Sequence, residues 1–148
     1  MKKFNDLILD ASGGEKYLVN NIFDLDSNFN FIRTLNELKF IINKKHIDND
    51  VVIIDPNNTF IGYNVKIGRN SVIYPGCIID GDTKIGENCI IYSNSKISNS
   101  TIDDGVQIQY STIIESKILK HSIIGPYTYI RPETILGEHV KVGSFVEL

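Results

Sequence analysis

Residues 61–97 read IGYNVKIGRNSVIYPGCIIDGDTKIGENCIIYSNSKI, with isoleucine at 61, 67, 73, 79, 85, 91 and 97. A coiled coil repeats its apolar seam about every 3.5 residues and an amphipathic helix about every 3.6. A strict step of six, rich in β-branched residues, Gly and Asn, fits neither. It matches the hexapeptide class of parallel β-helix, in which each six is one short strand plus a turn. The fold predicted is therefore mainly β, a hexapeptide-repeat solenoid of about five coils over residues 51–148.

Downstream the register slips without breaking. The step shortens to five at Ile102, returns to six at Ile108, shortens again at Ile113 and Ile118, then resumes at Ile124, Ile130, Leu136, Val142 and Leu148. The shortened steps predict tightened corners. Three repeats make one triangular coil, so Ile61, Ile79, Ile97, Ile113, Ile130 and Leu148 are expected in one aliphatic column, with two equally aliphatic columns beside it. Two residues before most inward positions stands a small or β-branched residue: Thr59, Val65, Ser71, Cys77, Thr83, Cys89 and Ser95, then Val106, Thr112, Ser122, Thr128, Thr134, Val140 and Val146. Lys117 reads as an exception within the irregular stretch. Gly62, Gly68, Gly86, Gly125, Gly137 and Gly143 follow the inward residue, and Asn64, Asn70, Asn88 and Asn94 fall three after it. Both types tolerate a left-handed backbone, which points to tight corners. Pro75, Pro126 and Pro132 sit two after the inward residue and read as corner residues.

In the preceding stretch, RTLNELKFIINKKHI predicts a helix over 33–47 that covers the base of the solenoid. Thr34 and Glu37 form a capping-box pattern, Leu35, Leu38, Ile41 and Ile42 share a face, and Lys44 and Lys45 lie near the end. Residues 1–32 form a separate segment. Phe4, Leu7 and Ile8 suggest a helical stripe, Gly13-Gly14 a turn, and KYLVNNIF a short strand or helical turn. Several apolar residues argue against disorder there. ASGGEK lacks the spacing of a phosphate loop and reads as an ordinary loop.

The chain has 148 residues and a formal net charge of -3. Without a basic run beyond Lys44-Lys45, it carries no electrostatic footprint for nucleic acid or an anionic membrane. Neither a signal peptide nor a window of about 20 apolar residues stands out, so a cytoplasmic protein is expected. Cys77 and Cys89 share the small inward position and read as packed thiols, since two cysteines alone make no zinc site. Asp103-Asp104 and Asp80 with Asp82 read as solvated turns. His46 closes the helix, where positive charge suits the helix dipole, and reads as a surface residue. His121 and His139 read as surface residues at different corners. No metal ligands and no catalytic residue are assigned.

GPYTYIRPETILGEHVKVGSFVEL (125–148) and the repeat before it resemble the bifunctional N-acetylglucosamine-1-phosphate uridyltransferase and glucosamine-1-phosphate N-acetyltransferase family, over roughly residues 33–148. The resemblance implies a left-handed coil, trimerisation, acetyl-coenzyme A as acetyl donor, and an amino-sugar phosphate as acceptor at subunit interfaces. The family's phosphate-binding arginine lies in a motif like L-R-P-G-T. IRPET matches it, so Arg131 carries over as a sugar-phosphate residue, with Glu133 in place of the glycine. A guanidinium forks onto phosphate oxygens, which makes that role chemically sensible. As a lone observation, Arg131 also fits a solvent-facing corner.

The roughly thirty residues before the helix leave no room for the family's uridyltransferase domain. The family pattern beyond its FVE motif, a basic pair and a histidine base, lies past Leu148. The expectation is therefore a transferase relative that does not turn over as this chain. The alternative is a non-catalytic oligomeric scaffold or regulatory binding module; a different acyltransferase using His121 or His139 ranks below both. Exposed aliphatics and strand edges of the last coil predict end-to-end pairing of two chains or a continuation that covers them.

Overall fold

The computed structural model describes residues 28–148. Helix α1 spans Asn28–Ile47, and sixteen short strands follow it among the described residues. The first sheet comprises β1 (Val52–Ile53), β4 (Val72–Ile73), β7 (Ile90–Ile91), β10 (Gln107–Ile108), β13 (Ile123–Ile124) and β16 (Lys141–Val142), in that order. The second stacks β2 (Phe60–Ile61), β5 (Ile78–Asp80), β8 (Lys96–Ser98), β11 (Thr112–Ile114) and β14 (Tyr129–Ile130). The third stacks β3 (Lys66–Ile67), β6 (Lys84–Ile85), β9 (Thr101–Ile102), β12 (Lys117–Ile118) and β15 (Ile135–Leu136). Every third strand pairs in parallel, so the chain winds round a three-sided prism of about five coils.

Inward isoleucines make the core. Ile61, Ile79, Ile97, Ile113 and Ile130 pair rung by rung in the second sheet, all 1% exposed or less. Leu148 completes that column, since its N–H donates to Tyr129 O and its carbonyl accepts from Arg131 N–H. The parallel columns are Ile73, Ile91, Ile108, Ile124 and Val142, and Ile67, Ile85, Ile102, Ile118 and Leu136. β-branched side chains suit these strands, because they pack well against neighbours on a pleated surface.

At each shortened step the corner carries a serine that satisfies the backbone. Ser100, Ser111 and Ser116 donate their hydroxyls to the carbonyls two residues back, at 2.8, 2.6 and 2.7 Å. Ser100 and Ser111 also accept a backbone N–H from the rung above, from Ser116 and Thr128. This corrects the sequence register in the irregular stretch. The buried small residues there are Ser111 and Ser116, while Thr112 and Lys117 lie one position on, with Lys117 exposed.

The glycine reading also changes. Of the six glycines after inward residues, only Gly125 has a positive φ, 99°. Left-handed backbone falls later in each corner, at Asn70, Asn88 and Asn94 as expected, but not at Asn64. Gly68 is instead needed for close approach: a Cβ there would lie 2.6 Å from Glu87 N and from the Gly86 carbonyl carbon.

Helix α1 begins before the predicted Thr34 cap, and Thr34 lies inside it, 3% exposed. The predicted partner Glu37 instead pairs with Arg33 at 3.4 Å. The helix sits on the first coil, as expected. Ile42 is buried, and Asn43 Nδ2 donates to Pro56 O (2.8 Å) and Thr59 O (3.3 Å) across the joint. Expectations for Phe4, Leu7, Ile8, Gly13-Gly14, KYLVNNIF and ASGGEK lie outside the described residues.

Candidate functional site

Arg131 directly follows the inward Ile130 at the end of β14, so its side chain leaves the prism at the corner between the second and third sheets. Its side chain is 62% exposed, and its Nη2 is ion-paired with Glu147 Oε1 on the next coil. The backbone anchors the residue, with Arg131 N–H donating to Leu148 O (2.7 Å) and Ser116 Oγ donating to Arg131 O. Two residues on, Glu133 has φ 68°, directly above Glu115 with φ 46°, and its N–H donates to Glu115 O at 2.9 Å. The motif position that the resembling family fills with glycine is thus a left-handed corner, where glycine is unstrained and glutamate is not. Chemically, the corner offers one guanidinium to an anion, in competition with the Glu147 carboxylate.

The histidines stand elsewhere. His121 and His139 do not occupy different corners, as the sequence reading had them. Each lies three after an inward residue of the third sheet, one coil apart, and their rings stack with centroids 5.2 Å apart. Their corner, between the third and first sheets, is not that of Arg131. His46, in the last turn of the helix, is only 6% exposed rather than at the surface, and desolvation, reinforced by Lys45, pushes its pKa below the ordinary value. Its environment therefore favours the neutral ring over the dipole-stabilised cation that its position in the helix suggests.

Cys77 and Cys89 are free and buried, on separate corners. Burial pushes the Cys77 thiol up to about 11 and raises that of Cys89, which suits packing rather than nucleophilic chemistry. The carboxylate pairs are structural. The Glu87 N–H, then Lys120, hold Asp104 below the usual range, with Lys120 Nζ 3.3 Å from it. Asp82 accepts from Asn64 Nδ2 at 3.4 Å. Asp80 departs from the solvated-turn expectation, because its Oδ1 is buried without a hydrogen-bond partner. Among the described residues no three His, Cys, Asp or Glu side chains converge as metal ligands, and no helix is long and apolar enough to cross a membrane.

Two features escaped the sequence reading. Glu147, the partner of Arg131, is one; its signal was a place one coil above the arginine's strand. The other is an aromatic ladder at the corner between the first and second sheets. Tyr110 stacks on Tyr127 with centroids 5.9 Å apart, and Tyr127 on Phe145 at 5.5 Å.

Stacked parallel rungs and aliphatic columns define a hexapeptide-repeat β-helix, of the left-handed class that the resemblance implied. The chain belongs to the family described as the GMPPB C-terminal domain, which matches residues 60–148. It is also similar to the bifunctional protein GlmU of Alkaliphilus metalliredigens, 51% identical over 71% of this chain and 23% of that protein. The GlmU of Clostridium novyi is 45% identical over 75% of this chain and 24% of its own length. The chain thus spans about a quarter of these curated relatives. Among solved structures, a perosamine N-acetyltransferase mutant from Caulobacter crescentus, in complex with CoA and GDP-perosamine, superposes with a TM-score of 0.53 at 15% identity, over 76% of this chain and 60% of that one. The acetyltransferase domain of PglB from Neisseria gonorrhoeae does so with 0.51 at 11% identity, over 73% and 63%. At such identities these two bear on the fold alone.

Proposed function

We propose that this chain is the solenoid part of an acetyltransferase of the amino-sugar nucleotide pathway, in which Arg131 takes the phosphate of an amino-sugar 1-phosphate and acetyl-coenzyme A is the acetyl donor. The observation that carries the reading is the exposed Arg131 guanidinium in IRPET, on a solenoid about half identical to GlmU. Copies of the chain associate, as a trimer on the family's pattern. By itself the chain does not turn over. Acetyl transfer needs a base within hydrogen-bond reach of the attacking amine. His46 is buried in the last turn of the helix, and His121 and His139 stack on each other at another corner. The described residues thus give Arg131 no histidine partner within its own chain.

A second reading, a non-catalytic scaffold or regulatory module, is favoured by one observation. Arg131 is already neutralised by Glu147, so the guanidinium is engaged without a ligand. A thiol-release assay with acetyl-coenzyme A and glucosamine 1-phosphate tests the account. No release is expected from the 148-residue chain. Release that Arg131→Ala abolishes would show a complete acetyl-transfer site and overturn the statement that no base is in place.

A further inference from the structure

The corner between the third and first sheets changes character along the axis. Its left-handed position holds Asp50, Asn70, Asn88 and Gly105 in successive coils, with φ between 57° and 70°. The two coils that follow hold His121 (φ 59°) and His139 (φ 56°) there instead. Each is pinned to the rung below by its backbone, His121 N–H donating to Asp104 O (3.0 Å) and His139 N–H to Lys120 O (2.9 Å). The two side chains therefore stand in register one coil apart. Both are exposed, and their ring planes lie 23° from parallel with centroids 5.2 Å apart.

Gly105 shows how the lower ring is seated. A Cβ at Gly105 would run into Nδ1 and Cε1 of His121. That edge of the imidazole rests on the glycine, which leaves Nε2 as the open nitrogen. Neither imidazole is hydrogen-bonded among the described residues. Lys120, which precedes His121, is drawn to Asp104 Oδ2 on the rung below at 3.3 Å, so its charge is already answered. Glu138, which precedes His139, enters no ion pair among the described residues. The charge left over at this corner is negative, which suits a cation.

We propose that His121 and His139 form a two-imidazole site for a divalent ion of the Ni(II), Cu(II) or Zn(II) class, held at the outer edge of the stack with water completing its coordination. Imidazole nitrogen suits these ions. Magnesium and calcium seek oxygen ligands and are not served. With metal–nitrogen bonds of about 2.0–2.1 Å, two nitrogens about 3 Å apart hold one ion. Rotation of the exposed His139 ring closes the open edge of the stack to that spacing. The bound ion clips two consecutive coils together. The site stands at a different corner from Arg131 and does not rest on the acetyl-transfer reading.

Calorimetric titration of Cu(II) into the full chain tests it, beside His121→Asn and His139→Asn, with electron paramagnetic resonance of each sample at one equivalent. Asparagine fills the same left-handed position at Asn70 and Asn88, so both variants keep the corner. The parent should bind one equivalent through two imidazole nitrogens. Either variant should bind about a hundredfold more weakly, as a chelate that has lost one arm. Variants that bind as the parent does, or a parent whose spectrum shows fewer than two nitrogens on the copper, would overturn the site. Should one variant lose its β circular dichroism, the other decides by the same criterion.

Discussion

Glutamate at position 133 occupies a left-handed corner directly above another glutamate in the same state, a choice that costs backbone strain at both. The sequence shows the departure from the motif glycine but not its geometry. His46 is the residue whose environment has the clearest measurable consequence. Burial lowers its pKa in the folded chain below its ordinary 6.5. Between the folded and unfolded values the unfolded state binds more protons, so stability rises with pH across that window. The contribution is complete above the unfolded value and is lost as pH falls from there toward the folded value. Thermal melts between pH 7.5 and 5.5 should therefore show a fall that His46→Leu flattens. A parental fall that persists undiminished in His46→Leu would place the titrating group elsewhere.

At the scale of a rung, the step of six made strand positions, inward columns and sheet membership legible before any coordinates. What it left out depends on actual corner lengths. His121 and His139 are one coil apart, and counting back a coil puts them on one corner; reading each turn alone does not. Arg131 and Glu147 are separated by a coil in which the exact offset decides whether their side chains meet. Thr112 and Lys117 fall one position beyond the buried small residues, Ser111 and Ser116, because a five-residue step shortens the corner, and each serine hydroxyl donates to the carbonyl two residues back. The glycines divide for a similar reason. Gly68→Ala drives a Cβ into the backbone of the next rung, whereas nothing lies within 4 Å of a Cβ at Gly143. Overpacking of that kind costs about 1–3 kcal/mol. Denaturant titration should therefore show Gly68→Ala well below the parent and Gly143→Ala within about 0.5 kcal/mol of it. Equal losses at both sites would mean that rung spacing does not set the glycine requirement.

For the molecule as a whole, a stack whose coils touch mainly their neighbours can carry different surfaces on its edges without disturbing the columns within. The helix covers one end, the aromatic ladder runs along one edge, and Arg131 stands at another edge in the upper coils. That separation leaves the Arg131 corner, proposed above to take a phosphate, independent of the aromatic edge. We propose that this corner is built for a sugar phosphate and that Glu147 holds the cation until the ligand arrives. Calorimetric titration of glucosamine 1-phosphate into the parent, Arg131→Ala and Glu147→Gln tests it most directly. Freeing the guanidinium should strengthen binding several-fold in Glu147→Gln, a change of about 1 kcal/mol, and Arg131→Ala should abolish it. Equal binding by the parent and Arg131→Ala, or none by Glu147→Gln, would contradict the account.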